Sequence, residues 1–265
     1  MVCKRGNFLN IKKIIVPSTS LRLSSALNAN QETECLFGEE VLILKEDENW
    51  SHCKKLDDSY IGWIQSKDLN YLPDFTHLII SLSTNIYAEP DYKSKFLDIL
   101  FLNSKINVID EDELWAKIIY KNNKFGYVYK KNITKKNKLK IDWIKLAKQF
   151  LYTPYLWGGK TCHGIDCSGL VQSCLQYIVP KFPRNSNQQN LFKSKFIKDC
   201  SSIKKGCLIF WKGHVAIAIS ETKIIHSNVK DMYVTIENFE KARERIYKSC
   251  GDVLSIRQIK VENYN

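Results

Sequence analysis

Pro154-Tyr155-Leu156-Trp157-Gly158-Gly159 and, four residues further on, Gly164-Ile165-Asp166-Cys167-Ser168-Gly169-Leu170-Val171 decide how this 265-residue chain reads. They put one cysteine at a glycine-flanked turn that runs straight into an apolar stretch. After Cys167, apolar residues fall at Leu170, Val171, Cys174, Leu175 and Ile178, which is one face of a helix. Pro180 closes the run. The thiol therefore sits in the first turn of a helix anchored in a core. The unpaired N–H groups and partial positive charge of a helix N-terminus favour a thiolate there. Gly164 and Gly169 let the backbone turn tightly and a substrate approach closely.

A nucleophile needs a base, and a base needs an orienting partner. His214 follows the Lys212-Gly213 turn and opens the apolar run HVAIAI. His226 ends the next strand-like run, KIIHS. Two strands joined by a short turn, Ser220 to Lys223, bring the histidines side by side. A helix-start cysteine with two strand histidines is the layout of a cysteine-nucleophile hydrolase.

The remaining cysteines and histidines have plainer readings. Cys174 is a small core residue of the helix face, and Cys3, Cys35, Cys53, Cys200, Cys207 and Cys250 read as structural. Cys162 and His163 belong to the loop before the nucleophile, and His52 and His77 are surface or satisfied side chains. Read as zinc ligands, Cys162, His163, Cys167, His214 and His226 lack the C-x2-C pitch and a second tight pair. No metal and no cofactor is expected.

From Ile141 to the C-terminus the chain resembles the NlpC/P60 family of cell-wall peptidases. PYLWGG, GIDCSGLVQ, PRNSNQQ, KKGCLIFW, HVAIAI and IIHS carry the resemblance, in that order. It implies a papain-like catalytic core with Cys167 as nucleophile, His214 as base, His226 as orienting residue and Tyr155 helping the oxyanion site. One departure is visible: Cys207 follows Gly206 where the family usually has aspartate.

The first half has a different texture. Short strand-like runs occur at Ser20 to Ser24, Val41 to Leu44 and Tyr60 to Ile64, and again at Leu78 to Leu82, Asn85 to Tyr87, Ile106 to Ile109, Trp115 to Ile118 and Phe125 to Val128. Trp50 with Gly62-Trp63-Ile64, and Trp115 with Gly126-Tyr127-Val128, repeat one pattern. Gly38-Glu39, Val41, Trp50 and Gly62-Trp63-Ile64 resemble a bacterial SH3-like (SH3b) domain, and the second copy is more degenerate. The expected architecture is α+β: two small SH3-like β-barrels at 1–73 and 74–134, then a papain-like NlpC/P60 domain of helices and antiparallel sheet at 135–265. The basic stretch 130–140 reads as the linker, and Asp142 as the N-cap of the next helix.

Forty Lys and Arg against 28 Asp and Glu give a net charge of +12. The lysines are dispersed and no nucleic-acid motif accompanies them, so the charge reads as a solvated surface, with no nucleic-acid partner. The N-terminus lacks a signal-peptide core, no run approaches the roughly 20 apolar residues of a membrane span, and nine irregularly placed cysteines argue against a disulfide framework. A cytoplasmic enzyme with no membrane partner is the simplest reading; the oligomeric state stays open.

A cytoplasmic wall peptidase meets imported wall peptides rather than assembled wall. The resemblance to recycling members of the family implies a murein peptide, L-Ala-γ-D-Glu-diamino acid, cut between γ-D-Glu and the diamino acid. It also implies Asp166 as the contact to the free amine, with Ser168 and Ser186 as further polar contacts and Tyr60 reaching the substrate from the first barrel. Arg184 pairs the substrate carboxylate or structures its loop. Asn185 stands where relatives often have aspartate. Each of these also has a bland reading as N-cap, loop hydrogen-bonder or barrel packing. Alternatives are a general hydrolase of intact wall, a wall-fragment-binding SH3b protein with a silent core, and an acyltransferase on the same core.

Overall fold

The structure is a computed structural model and describes residues 10–121, 124–135, 142–176, 178–179 and 181–259. Cys3, Pro180 and the 136–140 part of the expected linker lie outside the described residues.

Two seven-stranded antiparallel sheets occupy the first half, one from Ile11–Ile14 to Leu69–Asn70 and one from His77–Ile79 to Ile133–Lys135. Their strand orders are the same, so the second unit repeats the first strand for strand. Trp50 pairs with Gln65 in one, and Trp115 with Tyr129 at the equivalent place in the other. Each has its own small core, around Leu21, Val41 and Ile64 in the first and Ile86, Ile118 and Val128 in the second. The expected linker begins later than its composition suggests. Ile133–Lys135 pairs with His77–Ile79 and closes the second sheet, because Ile133 is buried while the lysines around it face water.

Phe37 of the first unit packs into the core of the second. The Phe37 to Lys105 hydrogen bond, Lys105 N–H to Phe37 O at 2.9 Å, fastens that joint. Gly38 lies there at φ +77°, and a Cβ on it would sit 2.0 Å from the Lys105 carbonyl oxygen, so both the backbone conformation and the close approach require glycine.

The remaining described residues build one six-stranded antiparallel sheet, a two-stranded ribbon (Lys160–Thr161 with Gly164–Ile165), a short 3-10 turn (Cys200–Ser202) and four α-helices: α1 (Trp143–Gln149), α2 (Cys167–Leu175), α3 (Ser186–Leu191) and α4 (Phe239–Cys250). Asp142 caps α1, accepting from Ile144 and Lys145 N–H at 3.0 Å each. Apolar strand residues alternate between faces. Val215, Ile217 and Ile225 pack with α1 and α2 on one side, and Ala216, Ala218 and Ile224 pack with Phe239, Ala242 and Ile246 of α4 on the other. Cys207 is buried on the α4 side, where its thiol packs as a small apolar side chain. Burying each large side chain of these cores contributes about 1.5–3 kcal/mol.

Candidate active site

Helix α2 is buried along its whole length, wedged between the sheet and the first SH3-like unit. Asp166 is its N-cap, accepting from Gly169 N–H at 2.7 Å and from Gly158 N–H of the preceding loop at 2.8 Å. Gly169 permits that clamp: a Cβ there would lie 2.3 Å from the Gly159 carbonyl oxygen. Its role is thus loop-against-helix packing rather than substrate approach.

Cys167 is the first residue of α2, 8% exposed. The helix N-terminus alone would lower its pKa, but burial and then the Asp166 carboxylate push the thiol up to about 12. The Val215 N–H, next in the chain after His214, and the Ser168 N–H act in the opposite direction. Burial also holds His214 down to about 3, reinforced by His226 and Arg245. Burial thus disfavours the charged form of both groups.

His214 opens the His214–Ala218 strand, and its Nε2 meets His226 Nδ1 at 2.8 Å. His226, 1% exposed, meets Glu237 Oε1 through Nε2 at 2.7 Å. Glu237 in turn accepts from Arg245 of α4 in a tight ion pair. Thr235 pairs directly with His226, so Glu237, two residues on, points to the same face. Burial raises the Glu237 carboxyl, but the His226 hydrogen bond and the charges of His226 and Arg245 prevail and hold it below the usual carboxylate range.

Tyr155 lies in the loop that pairs with Ile165 and donates its N–H to Met232 O at 2.8 Å. Burial, then Cys167 and Asp166, raise its phenol, which stays a protonated donor beside the thiol.

Asp166, Ser168 and Arg184 come together, but around one another. Arg184 is 1% exposed, and its five N–H groups have five acceptors: Thr33 Oγ1 at 2.8 Å, Asp166 Oδ1 at 2.9 Å, Ser168 Oγ at 2.9 Å, Gly159 O at 3.3 Å and Asp166 Oδ2 at 2.7 Å. Of its two expected roles, it structures the loop and has no donor left for a substrate carboxylate. Ser168 also donates to Asp166 Oδ1 at 3.1 Å. Burial opposes the Asp166 charge, yet Arg184 and the N–H donors hold its carboxyl below the ordinary range.

Beside this cluster the first SH3-like unit forms a wall. Tyr60 donates to Glu32 Oε2 at 3.0 Å, and the Asn185 amide approaches the Tyr60 oxygen at 3.4 Å. Asn185 is the exposed N-cap position of α3 and Ser186 its first residue, half-buried. Among the described residues no lysine or arginine is ion-paired with Glu32. The wall is fastened from behind. Lys160 of the catalytic domain reaches Glu39 at 3.0 Å, Lys55 reaches Glu39 at 3.0 Å and Asp58 at 3.3 Å, and Gln172 of α2 reaches Asp58 at 3.0 Å. Lys55, Lys160 and Glu39 are at most 1% exposed, so this is a buried, charge-balanced network.

Sequence reading passed over Glu32, Thr33, Glu237 and Arg245. The Gln31–Leu36 strand, QETECL, hides its alternation because its outward residues are polar and its inward Thr33 is too. Glu237 and Arg245 fall on a strand and a helix that carry no motif. Among the described residues no cluster of three or more His, Cys, Asp or Glu side chains has the geometry of a metal site, the eight described cysteines are all free, and no described helix is long and apolar enough to cross a membrane.

A buried thiol at a helix start, a histidine pair at the sheet rim and a phenol donor define a cysteine peptidase. Residues 152–248 match the NlpC/P60 family, residues 21–69 the bacterial dipeptidyl-peptidase SH3 domain and residues 82–134 the bacterial SH3 domain, so the chain carries an NlpC/P60 peptidase domain after two bacterial SH3 domains. It is similar to the gamma-D-glutamyl-L-lysine dipeptidyl-peptidase of Bacillus cereus (27% identity over 230 residues, 76% of this chain and 68% of that protein). It is also similar to dipeptidyl-peptidase 6 of Lysinibacillus sphaericus (24% identity over 249 residues, 86% of this chain and 91% of that protein). A crystal structure of an NlpC/P60 family protein from Bacillus cereus ATCC 10987 shares the fold, with a TM-score of 0.81 at 20% identity over 94% of this chain and 99% of that one.

Proposed function

We propose that this peptidase cleaves the γ-D-glutamyl–diamino acid bond of short peptidoglycan peptides that begin with a free L-alanine, and that it does so in the cytoplasm during wall-peptide recycling. The names of its relatives support the bond. The observation that carries the free amine is the wall beside the nucleophile, where Glu32 and Tyr60 of the first SH3 domain meet Asn185. A cleft closed on that side holds only a short N-terminal part, and a carboxylate without a basic partner favours an ammonium there. Asp166, already engaged by Arg184, supports this corner through its position rather than by direct contact.

His214 uses Nε2 on His226, so its Nδ1 takes the Cys167 proton. The thiolate attacks the γ-carbonyl of D-Glu. The Cys167 N–H and the Tyr155 hydroxyl donate to the oxyanion. His214 returns the proton to the leaving amine, and water, deprotonated by the same histidine, hydrolyses the thioester.

The test is incubation with L-Ala-γ-D-Glu-L-Lys and its meso-diaminopimelate analogue, each free and N-acetylated, with products read by mass spectrometry beside a Cys167→Ala control. Release of L-Ala-D-Glu from the free peptides alone, lost in the variant and weakened in Glu32→Gln, is expected. Equal cleavage of the acetylated peptides would refute the amine requirement and favour a general wall hydrolase.

A further inference from the structure

We propose that Glu237, held by Arg245, is a positioning residue that sets the tautomers of His226 and His214 and so leaves the Nδ1 of His214 free to accept the thiol proton. The inference rests on His214 being the base of the proposed reaction.

His226 Nε2 has two neighbours that ask for opposite protonation. Glu237 Oε1, at 2.7 Å, only accepts, so it needs Nε2–H. The Asn228 amide nitrogen, at 3.3 Å, only donates, so it needs a bare Nε2. The Asn228 amide cannot flip to resolve the conflict. Its Oδ1 accepts from Lys230 and Asp231 N–H at 3.0 Å each, and its Nδ2 donates to Asp231 Oδ2 at 3.2 Å. The outcome therefore depends on which neighbour prevails. The Glu237 contact is shorter and charge-assisted, and it prevails.

The choice passes along the chain. With Nε2–H on His226, its Nδ1 is an acceptor, and the 2.8 Å contact requires His214 to donate from Nε2. His214 Nδ1 is then a lone pair. Had Asn228 prevailed, His226 would carry its proton on Nδ1 and donate to His214 Nε2. The His214 proton would then sit on Nδ1, where no base is possible. Arg245 matters because it fixes the carboxylate against the ring and keeps it ionised. The other groups facing this chain are Trp211 against the His214 ring at 5.8 Å, and Lys230 and Asp231 from the turn before the Tyr233–Asn238 strand.

Long-range proton–nitrogen correlation spectra of the substrate-free, nitrogen-15-labelled protein at neutral pH read the tautomers directly, with His214→Gln and His226→Gln assigning the signals. Both rings are expected in the Nε2–H form. In Glu237→Gln, His226 is expected to move toward Nδ1–H. Its kcat should fall by about 10- to 1000-fold, less than the roughly 10⁴-fold cost of a wrong tautomer on a base held directly by its carboxylate. KM for L-Ala-γ-D-Glu-L-Lys should stay within about twofold, since uniform substrate binding is untouched. Arg245→Gln should give a smaller fall of the same kind. An Nδ1–H form of His226 in the unaltered protein overturns the proposal, as do unchanged tautomers or unchanged kcat in Glu237→Gln. If Glu237→Gln does not fold, the spectrum of the unaltered protein still decides. Because that spectrum needs no substrate, failure to cleave the peptide would count against the proposed activity and leave this test intact.

Discussion

The two SH3 domains share a strand order and meet the catalytic domain by opposite physics. The first is joined through buried charge: Glu39 with Lys160, Asp58 with Gln172, Thr33 with Arg184, and the Glu34 carboxylate on Lys160 N–H at 2.7 Å. The second is joined through Leu102, which lies in the catalytic core, with Leu82 beside it and Asn103 donating to Ser173 O at 3.0 Å. Apolar packing is tolerant of orientation, whereas a charged group out of water needs each partner at a set distance and angle. The first joint is therefore expected to hold Tyr60 and Glu32 in register with the thiol, and the second to add stability alone.

The largest test of that contrast is Lys160→Met. It leaves one oxygen of the buried Glu39 carboxylate unpaired and should cost about 3–5 kcal/mol, read by urea denaturation, with KM for the free peptide rising as the wall loosens. Acid titrates the same network. Burial opposes the Glu39 charge, but Lys160 and Lys55 hold its carboxyl at about 2 against an ordinary 4.5. A depressed carboxyl stabilises the fold fully above its unfolded value, so this contribution is lost as pH falls from about 4.5 towards 2. His214, neutral down to about 3 when folded, adds a loss that begins as pH falls below 6.5, where the unfolded chain takes up the proton. Stability measured against pH should decline in both windows; a flat profile between pH 6.5 and 4.5 would contradict the burial of His214.

Leu102→Ala should cost about 2–4 kcal/mol by leaving a cavity, with kcat/KM for the free peptide unchanged below the unfolding transition. A rise in KM would break the contrast by giving the second domain a part in the site. The smallest effect is expected of Tyr60→Phe, which removes one half-buried hydroxyl bonded to Glu32. KM should rise roughly threefold to tenfold, of the order of one hydrogen bond, with kcat and stability nearly unchanged. An unchanged KM would reduce Tyr60 to packing.

Much of the site was legible in the linear chain because its groups are set by local rules. Cys167 follows an N-cap aspartate, His214 opens a strand and His226 stands within the next, joined to it by a short turn, so period and punctuation place all three. Asp166 shows where such rules stop. Its residue type before the nucleophile suits a cap and an amine contact equally, and only the fold shows the cap made and Arg184, from 18 positions away, paired with the same carboxylate. Arg184 itself reads as a free cation until Thr33, 151 residues distant, takes its Nε–H. Glu32 and Glu237 are one acidic residue each on strands of polar texture, and nothing local separates them from solvated surface.

By itself the sequence determined the kind of molecule: two repeated all-β units, a helix-borne thiol and a histidine pair, since hydrophobic periodicity and turn chemistry act over a few residues. Only the tertiary structure decided which carboxylates serve the ion network, which one lies beside Tyr60, and which reaches the histidine pair. Those choices depend on distances of about 3 Å between groups far apart in the chain and on removal of water around them, and burial is a property of the assembled fold.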